Sequence, residues 1–168
     1  VTWHRECLLG GIVNKEMKLS RYGEIIQKWW DEIPIHFSGV QTGAFVIMPN
    51  HIHGIIVITE RRGTVPVPRN DGVKKIPYDH EVPPPISGGE TPPQRVPTLG
   101  QIIAYFKYQS TKEMNQVDNT NTITKFWQRN YYERIIRTDK DLQSITNYIK
   151  SNPGMWADDQ ENPGHKNT

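Results

Sequence analysis

The sequence has few of the features that assign a protein to a class at once. Cys7 is the only cysteine among 168 residues, which excludes an internal disulfide and a cysteine-based zinc site. No apolar run approaches the roughly 18 residues that a membrane-spanning helix needs. The first seven residues include His4, Arg5 and Glu6 and lack the pattern of a secretory signal. These absences predict a cytoplasmic protein without membrane contact.

A strong charge of one sign is also absent. The net charge is +2 at pH 7, so a local basic surface could bind nucleic acid, but composition does not argue for it. Hydrophobic residues make up 35% of the chain, which is enough for the core of one compact domain at this length. Composition alone leaves the function open.

Regular patterning is missing between residues 61 and 97. Nine of the 13 prolines fall there, and each removes a backbone N–H donor and fixes φ, which disfavours helices and strands. The stretch also holds too few large apolar residues to form its own core. We predict a single domain over residues 1–168, interrupted by a disordered Pro-rich linker at 61–97. The five Arg and Lys residues at 61–75 could contact DNA, although a solvated linker is the preferred interpretation.

The chain before this linker has both helix and strand patterns. Ser20 is a predicted N-cap for a helix over 21–33, which Pro34 is expected to stop. Two β-like runs follow at 40–48 and 51–59, separated by a Pro-Asn turn signal. A short sequence pattern typical of a β-strand also lies around residues 7–13.

The chain after the linker is predicted to form a helix from Thr98, an extended aromatic-rich segment at 126–136, and a helix at 138–151. In the last helix the expected buried stripe consists of Leu142, Ile145 and Ile149. The whole order favours an α+β sandwich, in which helices pack on one face of an antiparallel sheet.

Two histidines stand two positions apart at the start of the second β-like run. On a strand, His51 and His53 would point to the same face, so both imidazoles can reach one ion while Ile52 turns away. Neutral imidazole binds divalent transition metals, and two imidazoles need at least one further ligand. Alone, this pair is weak evidence, because two polar residues at a strand entrance give the same pattern.

Three blocks of sequence carry a family resemblance. Residues 48–57, MPNHIHGIIV, resemble the HUH signature of single-tyrosine transposases, in particular the REP-associated tyrosine transposases and related bacterial insertion-sequence enzymes. Residues 126–137, FWQRNYYERIIR, are similar to a second block of that family, and residues 148–153, YIKSNP, to its tyrosine element. The resemblance covers about residues 1–60 and 97–163, and the linker falls between the motifs.

The resemblance implies a ferredoxin-like HUH sandwich and a nucleophile at Tyr148, rather than at Tyr131 or Tyr132. Helical spacing agrees, since Tyr148 falls at the margin of the apolar stripe and Asn152 lies one turn further on. From periodicity alone, Tyr148 could equally be a half-buried packing aromatic.

The resemblance also implies a divalent cation, Mg²⁺ or Mn²⁺, bound by His51, His53 and Asn152. Many members of the family are expected to carry Gln at the third position, so the shorter Asn152 is a departure. A helix C-terminal cap is the structural alternative for this residue.

The expected partner is single-stranded DNA, in particular hairpins, bound by a homodimer in the bacterial cytoplasm. Candidates for phosphate contacts are Lys107, Lys112, Arg129, Arg134 and Arg137. Candidates for base stacking are Tyr105, Tyr108 and Trp127, with core packing preferred for Trp127.

The sequence therefore favours a metal-dependent DNA transposase that cuts and rejoins single strands through a 5′-phosphotyrosine at Tyr148. A domesticated hairpin-binding protein without cleavage activity is an alternative. A metal-dependent hydrolase that uses His51 and His53 but not Tyr148 is another. The DNA sequence recognised, the general base and the cis or trans arrangement of Tyr148 in a dimer stay open.

Overall fold

The computed structural model describes residues 1–59, 96–118 and 124–165. Within these residues the protein is α+β, as predicted. The elements in chain order are β1 (Gly10–Val13), β2 (Glu16–Leu19), α1 (Arg21–Asp31), α2 (Ile33–His36), β3 (Val40–Ile47), β4 (Ile52–Ile58), α3 (Leu99–Asp118) and α4 (Asp139–Ser151). A 3₁₀ turn at Trp3–Arg5 precedes β1, and a 3₁₀ helix at Asn152–Asp158 follows α4.

Most of the predicted linker at 61–97, including its basic stretch at 61–75, lies outside the described residues. The linker and the single-domain organisation therefore stay predictions. Among the described residues, none of the helices combines the length and the apolar character that crossing a membrane would need.

The strands form two antiparallel hairpins rather than the one sheet that was expected. β1 pairs with β2 through a two-residue turn, in which Asn14 and Lys15 both have positive φ, the backbone that a tight hairpin requires. β3 pairs with β4 from Val40 opposite Ile58 to Ile47 opposite Ile52. The described residues thus contain two two-stranded sheets, and the second hairpin contains both histidines.

Helix α1 begins at the predicted cap, where the Ser20 hydroxyl accepts a hydrogen bond from the Gly23 N–H at 3.2 Å. The prediction for Pro34 was wrong. It lies in the first turn of the short helix α2, where a missing N–H costs nothing because that N–H has no intrahelical acceptor. The chain therefore turns between α1 and α2 at Glu32 and continues in a second helix.

The core lies between α1, α3 and the β3–β4 hairpin. The Trp30 ring stacks on Phe45 of β3 at 4.1 Å between centroids and meets Phe106 of α3 edge-on at 6.1 Å. A Cβ at Gly54 would collide with the Trp30 ring, so glycine in β4 allows α1 to pack on the hairpin. This contact fixes the position of the strand that carries His53.

The predicted extended segment at 126–136 does not form a strand. Its one bridge pairs Trp127 with Thr2, and from residue 128 to residue 137 the described backbone is irregular. The reason is that its partner is the short N-terminal segment, which offers only a few hydrogen bonds, such as Trp3 N–H to Phe126 O at 2.8 Å.

Helix α4 has the predicted cap, since Thr138 Oγ1 accepts from the Asp141 N–H at 3.1 Å. The predicted buried stripe is only partly correct. Ile149 is buried, Ile145 is half-buried and Leu142 is exposed. The C-terminal part of α4 packs beside β3. Among the described residues, no element packs over the apolar side chain of Leu142 in the first turns of α4.

Candidate metal and tyrosine site

The turn that joins β3 to β4 is buried, although turns normally lie at the surface. Met48 and Asn50 are inaccessible and His51 is 3% exposed. Two segments cover the turn: Thr2 donates its N–H to Asn50 O at 2.7 Å, and Leu9 donates to Pro49 O at 2.9 Å. The sequence around the histidines is therefore held by backbone hydrogen bonds from the N-terminal part of the chain.

The two imidazoles meet at their Nε2 atoms, which are 3.0 Å apart. His53 is the second residue of β4, whereas His51 lies just before the strand, so the prediction that both occupy strand positions was wrong for His51. Their convergence does not depend on it, because the rings face each other edge-on at 4.8 Å between centroids. His51 Nδ1 is 2.8 Å from Asn50 Oδ1.

Burial keeps both histidines neutral. Desolvation, with the neighbouring His53 and against the opposing effect of Asp159, lowers the pKa of His51 to about 4. Desolvation also lowers the pKa of His53, again opposed by Asp159. Asp159 Oδ2 lies 3.6 Å from His51 Nε2, but with His51 uncharged at neutral pH the two do not form an ion pair. Neutral imidazoles with available lone pairs are what a metal site requires.

Tyr148 lies next to this pair. It is on α4, its side chain is 56% exposed, and its ring is 5.5 Å from the His53 ring between centroids. The structure thus brings Tyr148 and the two histidines together within one chain. The exposed position leaves the phenol accessible to a large substrate, which the half-buried packing alternative would not predict.

Asn152 begins the 3₁₀ helix that follows α4. Its side chain is 3% exposed, and its Nδ2 has no hydrogen-bond partner. A buried amide with an unsatisfied end is costly. Asn152 is also the C-cap residue of α4, as the structural alternative expected, and the chain continues from it into the 3₁₀ helix. The unpaired Nδ2 is a hydrogen-bond donor and cannot bind a cation, so a ligand role for Asn152 would fall to its amide oxygen.

The geometry of the histidine pair fits one cation. Two nitrogens that bind the same ion at about 2.1 Å and at right angles are roughly 3 Å apart, which matches the separation of the two Nε2 atoms. No group of three or more His, Cys, Asp or Glu side chains in the described ranges is placed to hold a metal. A cation on His51 and His53 would need its other ligands from an amide such as that of Asn152, from water or from substrate oxygens.

The predicted DNA-binding residues divide into two groups. Lys107, Lys112 and Arg129 line a groove of about 590 Å³ between α3 and residues 124–129, which we call the basic groove. Arg134 and Arg137 are exposed outside it, and Arg134 Nη2 is 3.9 Å from Asp141 Oδ1. Lys125 also lines the groove and was not singled out in the sequence.

Lys107 is only partly available for a ligand. Its Nζ donates to the carbonyl oxygens of Gln128 at 2.7 Å and Asn130 at 3.2 Å, and burial lowers its pKa. Its first role is to fasten the irregular segment to α3. Lys112 and Arg129, which are exposed, are better placed to bind phosphate.

The three aromatic candidates also differ in environment. The Tyr105 ring stacks on the His36 ring at 3.9 Å between centroids, so that face of Tyr105 is not available to stack on a base. Trp127 packs against the core and donates its Nε1–H to Ser110 Oγ at 3.0 Å, so the core-packing prediction is confirmed for it. Tyr108 lines the basic groove and is 63% exposed, which leaves it free to stack on a base.

Sequence reasoning missed two residues of the site. Asn50 was interpreted only as part of a turn signal, although its position next to His51 in the HUH-like block was a usable clue. Asp159 had no local signal, because it reaches the histidines only through the path of the chain after α4.

A protein of Haemophilus influenzae that is described as uncharacterized is 36% identical to this chain over 158 residues, which span 94% of this chain and 78% of that protein. No protein-family model matches the chain. No solved structure matches it.

Proposed function

The chain belongs to the same family as this Haemophilus influenzae protein, and we propose that it is a metal-dependent transposase that cuts and transfers single-stranded DNA. The observation that carries the proposal is the meeting of three side chains. His51 and His53 converge at their Nε2 atoms, and the Tyr148 ring lies against His53. A phenol beside a pair of metal-binding imidazoles is an arrangement suited to nucleophilic attack on a phosphodiester.

In the proposed reaction Tyr148 is the nucleophile. Its Oη attacks phosphorus, the new Oη–P bond forms as the bond from phosphorus to the 3′ oxygen breaks, and the 3′ oxygen leaves as a hydroxyl after taking a proton. The phenolic proton passes to solvent. The product is a 5′-phosphotyrosine, which conserves the energy of the phosphodiester, so that attack by another 3′-hydroxyl can rejoin the strand without ATP.

The protein holds the groups that this reaction needs. His51, His53 and Asn152 would hold Mg²⁺ or Mn²⁺, which when bound offsets the negative charge on the phosphate oxygens. Burial keeps both imidazoles neutral and ready to bind. The exposed position of Tyr148 lets a strand of DNA approach the phenol from solvent.

The basic groove supports DNA as the substrate. Its lining includes four cations, Lys107, Lys112, Lys125 and Arg129, and no acidic residue among those described. Most of the lining is apolar, and the exposed ring of Tyr108 offers a stacking surface. Cations around an aromatic surface are the combination by which proteins bind single strands. The N-terminal segment connects this groove to the site, because Thr2 binds Asn50 and bridges to Trp127.

The finer fold and the assembly belong to the same proposal. Helices α1 and α4 pack against strand β3 of the hairpin that carries the histidines, and α3 packs on α1. Helices on such a hairpin support an HUH sandwich of the ferredoxin-like type. Ile135 is 75% exposed and Leu142 41%, and large apolar side chains left exposed favour a second copy of the chain as a partner. We expect a homodimer in a bacterial cytoplasm, bound to DNA.

The test uses single-stranded hairpins from the DNA that flanks the gene, incubated with Mn²⁺ and separated on denaturing gels. We expect a covalent protein–DNA product from the wild type and none from Tyr148→Phe, while both proteins bind the hairpin. Tyr132→Phe is the matched control, because Tyr132 is an exposed tyrosine of the adjacent segment, and it should form the product normally.

The other outcomes separate the alternatives. Hairpin binding without any cleavage by the wild type would contradict the proposal and favour a DNA-binding protein. Cleavage by Tyr148→Phe at the wild-type rate would contradict the role of Tyr148 and favour a hydrolase that uses the histidines alone.

A further inference from the structure

The side chain of Asn50 is inaccessible to solvent and makes a complete set of polar contacts. Its Nδ2 donates to the carbonyl oxygens of Arg5 at 3.0 Å and Glu161 at 2.7 Å. Its Oδ1 faces His51 Nδ1 at 2.8 Å. The amide thus joins three distant parts of the chain: the N-terminal segment, the histidine turn and the segment after α4.

These contacts determine which end of the amide faces His51. Carbonyl oxygens only accept hydrogen bonds, so the group between the carbonyls of Arg5 and Glu161 must be the NH₂ end. A flipped amide would place Oδ1 against two acceptors and leave both without a donor. The oxygen end of the amide therefore points at His51.

The oxygen end in turn determines the tautomer of His51. Because Oδ1 can only accept, His51 must donate through Nδ1–H. A neutral imidazole has one N–H, so Nε2 of His51 is unprotonated and its lone pair points towards His53 Nε2, 3.0 Å away. This is the form in which an imidazole binds a cation through Nε2.

We propose that Asn50 is a positioning residue, which holds His51 as the Nδ1–H tautomer and aims its free Nε2 at the cation. The inference rests on the proposed function, since it presumes a cation between the two histidines. Asn50 does not touch the substrate or the reacting atoms.

The same contacts make the two histidines unequal. With Nε2 of His51 bare, the hydrogen bond between the two Nε2 atoms must be donated by His53 when no metal is present. A cation held by both rings would need the Nε2 lone pair of His53, so the neutral ring would then carry its one proton on Nδ1, with the Nε2 proton released to solvent and one taken up at Nδ1. His51 is therefore preset for the metal, whereas His53 changes tautomer on binding.

The first experiment needs no variant. Long-range ¹H–¹⁵N correlation spectra of the metal-free full chain, with histidine labelled and His51→Gln used for assignment, report the protonated nitrogen of each ring. We expect His51 with its proton on Nδ1 and His53 with its proton on Nε2. Addition of Zn²⁺ as a diamagnetic probe should move only the His53 proton. A His51 ring with its proton on Nε2 in the metal-free protein would overturn the inference.

The second experiment separates positioning from a purely structural role. Asn50→Ala removes the acceptor and should weaken Mn²⁺ binding, followed by electron paramagnetic resonance of the free ion, by roughly 10- to 100-fold. Asn50→Asp keeps an acceptor for His51 but loses the donors to Arg5 and Glu161, so it should lower the melting temperature and retain Mn²⁺ binding. Loss of Mn²⁺ binding by both variants in proportion to their loss of stability would contradict a positioning role.

Asn115→Ala is the matched control. Asn115 also donates its amide to two carbonyl oxygens, those of Thr111 at 2.9 Å and Thr124 at 3.3 Å, but the residues it joins are not those of the histidine turn. It should bind Mn²⁺ as the wild type does. If Asn50→Ala does not fold, the wild-type spectra and Asn50→Asp still decide. If the wild type binds no metal while its His51 tautomer is as expected, the proposed function fails and the positioning of His51 by Asn50 stands.

Discussion

Two regions of this protein are equally inaccessible to solvent but differ in chemistry. In the core between α1 and α3, Trp30 and Phe106 are buried among aromatic and aliphatic side chains. At the β3–β4 turn, Asn50 and His51 are buried to the same degree, and hydrogen bonds replace apolar contacts. Apolar burial stabilises a fold by itself, whereas polar burial stabilises it only when every group has a partner.

The difference indicates what each region is for. The core residues need only shape and apolar area. The turn residues make specific contacts, and Nε2 of His51 is directed at Nε2 of His53 in β4 rather than at a permanent partner elsewhere. A polar site of this kind costs stability that a hydrophobic turn would not, which is typical of functional sites.

The largest effect should come from removing a histidine without disturbing the core. His53→Ala removes a ligand of the cation, and we expect hairpin cleavage to fall by about 10²- to 10³-fold, as when an electrostatic contribution to a transition state is lost. The melting temperature should stay within a few degrees of the wild type. His36→Ala, which removes a histidine stacked on Tyr105, should cleave normally. Cleavage by His53→Ala at the wild-type rate would contradict the claim that the polar region serves catalysis while the core serves stability.

The reverse pattern is expected in the core. Phe106→Ala should lower the free energy of unfolding by about 3–5 kcal/mol, because the cavity left among α1, α3 and the hairpin cannot close fully. Urea denaturation measures the loss. At a temperature where this variant remains folded, its affinity for Mn²⁺ should equal that of the wild type. A selective loss of metal affinity in the folded variant would show that the core shapes the site directly.

Acid should destabilise the polar region specifically. The pKa of His51 is about 4 in the folded protein and about 6.5 in an unfolded chain. Between these values the unfolded chain binds more protons, so the stability of the metal-free protein falls as the pH falls from about 6.5 to 4, by on the order of 3 kcal/mol. Above pH 6.5 this contribution is fully present.

Denaturation at a series of pH values compares the wild type with His51→Gln, which lacks the titrating ring. The difference in stability between the two proteins should grow as the pH rises through this window. A difference that is constant from pH 4 to pH 7 would mean that His51 is not buried as a neutral group.

The smallest effect concerns the basic groove. Lys112→Gln should lower the slope of log affinity against log salt concentration by about 1 for hairpin binding, because one phosphate contact is lost. Fluorescence anisotropy at several salt concentrations measures the slope. Lys18→Gln makes the same change of charge on the β1–β2 hairpin and should leave it unaltered. Equal slopes for both variants and the wild type would show that Lys112 in the basic groove does not contact a DNA phosphate.

Local patterns were sufficient to predict much of the fold. Ser20 and Thr138 cap the helices that they were predicted to cap, because a cap depends only on residues three or four positions away. The hairpin of β3 and β4 also followed from a local turn signal. The spacing of His51 and His53 predicted their convergence, although His51 lies just outside β4.

Contacts between distant segments could not be predicted in the same way. The burial of Asn50 depends on carbonyls of Arg5 and Glu161, which are far from it in sequence and have no pattern of their own. The failure of residues 126–136 to form a strand has the same cause, since a strand needs neighbouring backbone that offers hydrogen bonds along its length, and the N-terminal segment offers only a few. Leu142 fitted an apolar stripe by periodicity, but no described element covers it.

The most direct measurement is the position of the covalent bond between protein and DNA. Wild-type protein is incubated with a hairpin substrate and Mn²⁺, digested with nuclease and protease, and analysed by tandem mass spectrometry. The nucleotide remnant should be on Tyr148 and should be absent when EDTA replaces Mn²⁺. A remnant on any other residue, or on Tyr148 without a divalent cation, would contradict a site in which two imidazoles and one phenol act around a shared metal.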